Sequence, residues 1–181
     1  MIVSLAAVLL ASSLASSTFV VDPGGSVVKF HLHHKMHEVN GRSTQIEGKA
    51  ILGDDGKVMT MIRIPVASFD TADANRDSHM RETLDASRYP FVIFKGVTSF
   101  TVPVAHGKPY DTRLEGELEF HGVRRAISVP ARVSLTKDGA EVSAKFPVDL
   151  DAHKVERPSL LFIKVDQDVE LDAELKLKTA R

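Results

Sequence analysis

From Val28 onward the chain alternates apolar and polar residues with a period of two, and the pattern recurs to the last strand-like segment. In the first run one parity carries Val28, Phe30, Leu32, His34 and Met36, and the other carries Lys29, His31, His33, Lys35 and His37. Leu114, Gly116, Leu118 and Phe120 likewise oppose Arg113, Glu115, Glu117 and Glu119. Ile127, Val129, Ala131 and Val133 oppose Ser128, Pro130, Arg132 and Ser134. Val142, Ala144, Phe146 and Val148 oppose Ser143, Lys145 and Asp149, and Val169, Leu171, Ala173 and Leu175 oppose Glu170, Asp172 and Glu174. Successive side chains of a strand point to opposite faces, so each run has one dry face and one wet face. A single wet face belongs to antiparallel sheet, because strands of a parallel sheet are apolar on both sides.

The connections agree. Asp55-Gly56 and Asp138-Gly139 lie between alternating runs and predict tight hairpins, and His121-Gly122 is a weaker third. Strands are expected near 18–22, 26–36, 43–52, 57–66, 90–102, 112–121, 124–136, 140–150 and 161–178. The short first piece reads equally well as an extension of its neighbour, which makes about eight. One stretch breaks the period. Residues 68–87 are polar, rich in Asp and Ala and poor in β-branched side chains. Asp70 or Thr71 is the expected helix cap, Met80 and Leu84 share a face at i, i+4, and Pro90 stops the segment. One-faced antiparallel strands must fold the dry face onto something, in a sandwich or a closed barrel, and the period alone does not choose.

The 181 residues suit one domain. A net charge of −1 without like-charge blocks gives no sign of a nucleic-acid partner, and none is expected. Absence of cysteine removes disulfides, thiolate nucleophiles and Cys-ligated zinc. Ile2–Leu14 is apolar or small, too short to span a bilayer, and followed by small residues. It reads as a signal peptide over 1–17, cleaved near Ala15 or Ser17, although no Lys or Arg precedes the apolar run. The expected product is a periplasmic or secreted domain over 18–181, without stable membrane insertion.

Several segments together resemble the YceI-like, polyisoprenoid-binding family. They are Phe30-His31-Leu32-His33-His34 with Gly41-Arg42; Arg76-Asp77-Ser78-His79-Met80; Tyr89-Pro90-Phe91-Val92-Ile93-Phe94-Lys95; 114–125, with His121-Gly122 at the hairpin; and Arg157-Pro158-Ser159-Leu160-Leu161. Each motif alone is weak, and their order and spacing carry the likeness from about Phe19 to Lys178. The resemblance implies an all-β, antiparallel eight-stranded lipocalin-like barrel with a short helical insertion. It implies a carrier of isoprenoid lipids, polyprenyl or quinone type, with no catalytic chemistry, no cofactor beyond the bound lipid, and possible homodimers. Matched to the dry parity, it places Phe30, Leu32, Val92, Phe94, Leu118, Phe120, Val129, Phe146 and Val148 in the lumen, with Met36 and Met61 as adaptable additions. One departure stands out: His153-Lys154 occupies the place of an aromatic-Gly pair common in the family.

The polar residues admit other readings. His31 and His33 share a face at a spacing that can chelate a metal, with His37 joining if the strand keeps its parity, but they lie on the wet side and nothing completes the set. His34 is on the dry parity and either bonds a buried neighbour or meets a lipid head group, and Asp77 and His79 in the insertion either fix it to the barrel mouth or contact a head group. No nucleophile elbow, zinc-protease or phosphate-loop motif occurs, so no enzyme is expected. The acidic run Asp166, Asp168, Glu170, Asp172 and Glu174 reads as a solvated face that discourages edge pairing. The competing functions are a metal module on the His cluster and a packed barrel with no ligand.

Overall fold

A computed structural model describes residues 17–34, 37–99, 107–157, 159–160 and 163–180. The expected leader, Ala15 included, and Met36 lie outside the described residues; so do the side chains of His34 and His37. Ser17 opens the first strand. The order is β1 (Ser17–Val21), β2 (Val27–His34), β3 (His37–Ser43), β4 (Glu47–Leu52), β5 (Lys57–Pro65), α1 (Ala74–Thr83), β6 (Phe91–Ser99), β7 (Pro109–Phe120), β8 (Val123–Thr136), β9 (Gly139–Asp149), β10 (Ser159–Leu160), β11 (Ile163–Lys164) and β12 (Asp168–Thr179).

All pairings are antiparallel. The sheet runs β1-β4-β5-β6-β7-β8-β9-β12 and returns from β12 to β1, which closes it. β2 and β3 continue β1 and β4 beyond a break: β12 pairs with β1 at Val21↔Leu177 and with β2 at Leu32↔Val169. Among the described residues the wall is therefore a closed antiparallel barrel of eight staves with one α-helix, and the short first piece belongs to the same stave as its neighbour. The break has a local cause. Pro23-Gly24-Gly25 makes one 3-10 turn, closed by the Ser26 hydroxyl donating to the Asp22 carbonyl at 2.8 Å.

The alternation predicts the faces well. Val28, Phe30, Leu118, Phe120, Val129 and Val148 are buried, while their sequence neighbours face solvent or are half-buried. The hairpin at His121-Gly122 has φ of 50° and 72°, both left-handed, as a two-residue turn matched to strand twist requires.

Four details depart from expectation. β3 fills what reads as a connection, because its inward side offers little beyond Val39. Gly41 faces Phe30 across the pair, and a Cβ there would overlap the Phe30 ring, so the aromatic takes the space of the missing side chain. The helix cap is Asp73, whose carboxylate accepts from the backbone N–H of Asn75 at 3.0 Å and Arg76 at 3.1 Å. Asp70 instead accepts from Ala72 N–H at 2.8 Å, and its backbone bridges Arg42. The expected 161–178 strand begins only at Asp168, after the small β10–β11 pair. β12 is not an edge: it has partners on both sides, so its carboxylates protect nothing from edge pairing, and Glu170 and Glu174 instead pair with Lys145 and Lys29, each at 3.2 Å.

Candidate functional site: an apolar chamber beneath a helix

Among the described residues the inward side chains leave space inside the barrel. A chamber of about 590 Å³ opens under α1, and a second of about 170 Å³ lies deeper. Phe30, Leu32, Val92, Leu118, Phe120 and Val148 line the wide chamber. Phe94, Val129 and Phe146 line the deep one, which Val92 and Leu118 also reach. Nine of the expected lumen residues thus meet a cavity. Met61 does not. It is 36% exposed and stands on the outer face of β5, between inward Thr60 and Ile62. Parity decides this, since Met61 is odd where the inward residues of β5 are even.

The walls come from the strands and the rim comes from the insertion. Phe69 packs edge-on against Phe30, ring centroids 5.7 Å apart, and starts the segment across the opening. Met80 and Leu84, the i, i+4 pair, turn inward and pack against the buried cluster containing Phe30 and Phe120. On the other side of the opening Leu150, Val155 and Val165 are buried. Arg157 holds this side by donating to the Val165 carbonyl and to Asp151, each at 2.8 Å.

Polar groups gather along the helical side of the rim: Thr71, Asp73, Asn75, Arg76, His79 and Thr83. Arg76 donates from Nε to the Thr71 hydroxyl at 3.2 Å, and its guanidinium lies 3.6 Å from Asp73. The N–H groups of Arg76 and Asn75, with the Arg76 charge, hold the Asp73 carboxyl below its usual range. His79 is at the rim, largely exposed, with Nδ1 3.7 Å from Glu82. Asp77 is elsewhere. Its Oδ1 accepts from Thr71 N–H at 3.0 Å and from the Thr71 hydroxyl at 2.6 Å, and it does not line the chamber. Asp77 ties the insertion to Thr71 at the mouth, the structural one of its two expected roles. Sequence reasoning missed Arg76 and Asn75, although both lie in the segment singled out for its polarity.

The outer histidines find neighbours across the β2–β3 pair. His31 Nδ1 lies 2.8 Å from the Asn40 side-chain oxygen, and His33 Nδ1 is 3.9 Å from Glu38. Among the described residues no three His, Asp or Glu side chains converge to hold a metal. The His153-Lys154 departure keeps its turn. Lys154 has φ of 57°, where glycine fits best, and His153 is buried with its ring 5.6 Å from Phe120. Its Nδ1 donates to the Asp149 carbonyl at 2.9 Å, while Nε2 has no partner among the described residues.

Among the described residues no helix is long and apolar enough to cross a membrane. No curated protein matches the chain. Solved structures do. A polyisoprenoid binding domain from Saccharophagus degradans superposes with a TM-score of 0.75 at 17% identity, covering 90% of this chain and 98% of that one. Burkholderia cenocepacia BcnA gives 0.71 at 19% identity, covering 86% and 98%. A Campylobacter jejuni YceI protein gives 0.62 at 16% identity, covering 82% and 89%. At such identities these likenesses speak for the barrel and its helix alone. The match to the YceI-like domain spans residues 19–177, nearly the whole described wall, and the chain belongs to that family.

Proposed function

We propose that this barrel binds, and carries or stores, one long-chain isoprenoid lipid of polyprenyl or quinone type, without catalysing a reaction on it. The observation that carries the reading is the wide chamber: about 590 Å³, walled by Phe, Leu and Val and open beneath a polar rim. An apolar tail asks for area and little direction, and its burial contributes about 25 cal/mol per Å² removed from water. Membership of the YceI-like family and the likeness to a polyisoprenoid binding domain support the lipid class. The rim supports a head group left near solvent, with His79 and Arg76 in reach and His34 as a further candidate from its parity. The leader-like first segment supports export to the periplasm or beyond. A homodimer is compatible with this reading, which does not depend on one.

The test is native purification of the exported protein, followed by extraction and mass spectrometry. A stoichiometric isoprenoid, and refilling of the stripped protein with a polyprenyl alcohol or prenyl quinone, is the expected result. A protein that emerges empty and takes up neither probe would defeat the reading and return the packed barrel to first place.

A further inference from the structure

The two chambers are unequal and meet at a waist. Val28, Ile64, Val92, Leu118 and Leu171, from five strands, border both. Below the waist the wall changes. Ala131, Ala144 and Ala173 sit side by side on β8, β9 and β12, paired in register; Ala144 and Ala173 line the deep chamber with methyl groups alone, and Ala131 is buried beside them. On β6 the Phe94 ring lies along its own strand over Gly96, where a Cβ would overlap it. Gly96 thus supplies the niche that lets this large ring lie back against the wall. Small residues in the alanine row and at Gly96 on the other wall do nothing for core packing, which favours filled space. They do create a small dry space in line with the larger one.

We infer that the deep chamber is the tail-length subsite of this lipid carrier, with the alanine row and the Phe94–Gly96 pair setting how long a tail is accommodated. The inference rests on the isoprenoid reading above. Buried hydrocarbon at interior packing density needs roughly 100 Å³ for each five-carbon unit. The deep space of about 170 Å³ therefore takes the last one or two units, and the wide chamber takes those nearer the head group. Short tails end above the waist and never meet Ala144. Longer tails gain affinity by passing it, until the deep space is full.

The probes are prenyl alcohols of two, three, four and nine isoprene units, which share one head group. Their affinities are read by displacement of an apolar fluorophore from the wild-type protein, Ala144→Leu and Gly96→Ala. Ala144→Leu fills the deep space directly, and Gly96→Ala drives the Phe94 ring into it from the other wall. For the wild type, affinity should rise with length and then level off. Both variants should lose about a hundredfold on the longest tails, one buried unit's worth, with less than a twofold change on the two-unit alcohol. Retained short-tail binding also shows that each variant is folded. Equal losses at every length, or no loss at any, would overturn the subsite and leave the isoprenoid reading standing. Failure of every alcohol to bind the wild type would remove both.

Discussion

Replacing Asp77 by alanine should loosen the lid over the chamber without touching the chamber itself. The carboxylate accepts two hydrogen bonds from Thr71, at 3.0 Å from N–H and 2.6 Å from the hydroxyl. Thr71 is 9% exposed, so its N–H has little access to water once the acceptor is gone. Hydrogen bonds to a charged group contribute about 1.5–3 kcal/mol, and a stranded buried donor costs about 1–3 kcal/mol. Asp77 itself is only half-buried, and the Thr71 hydroxyl lies 3.5 Å from the Asp73 carbonyl, a replacement acceptor, so the low end applies. The expected loss is about 2–3 kcal/mol, or roughly 5–10 °C in Tm for a domain of this size. Asp77→Asn keeps an acceptor oxygen and should lose about half as much. Urea melts measure the total, and amide exchange across residues 69–84 locates it. If Asp77→Ala leaves stability and exchange unchanged yet abolishes lipid uptake, the carboxylate serves the ligand and this account of it is wrong.

Three other outcomes follow from the geometry. Lys154→Gly should stabilise the protein by about 1 kcal/mol, seen as a higher urea midpoint, because Lys154 holds φ of 57°. Gly116→Ala should destabilise by more than about 2 kcal/mol, since its Cβ would strike the Lys95 carbonyl and the Gly96 backbone on the paired strand; a melt within experimental error of wild type would contradict this. In acid, Asp149 should matter. Ala152 N–H and the Gln167 amide hold its carboxyl below the ordinary 3.8, so the unfolded chain takes up the proton first as pH falls. Its contribution is complete above that value and disappears as pH drops through the lowered one, so Asp149→Asn should flatten the acid limb of stability against pH.

The residues differ in how openly they announce their place. Phe30, Leu118 and Phe120 declare themselves through parity, because an antiparallel strand with one wet face leaves a bulky apolar side chain one place to go. Met61 shows the limit of composition without parity: apolar, but odd on a strand whose inward positions are even. β3 was illegible because Gly41 belongs to the wall only in partnership with Phe30, eleven residues away. Asp77 lies in a family-like motif, yet its role is fixed by Thr71, which reaches it only after the chain has turned at Asp73. The size of the interior and its division into two chambers could not be read, since a volume depends on how Phe94 lies over Gly96 and not on either residue alone.

The closing pair of staves carries a consequence for how the protein comes to exist. Phe19 lies opposite Thr179, so the first strand is sealed by the last. Contacts of such sequence separation form late and slowly, because a very long loop must close before they yield anything. Until β12 arrives there is a curled sheet with an open seam, its apolar face available to whatever lies near. A seam closed by that pair makes the interior a late product of folding, and the carrier proposed above would then have two ways to take its lipid: wrapping it as the seam shuts, or admitting it through the rim.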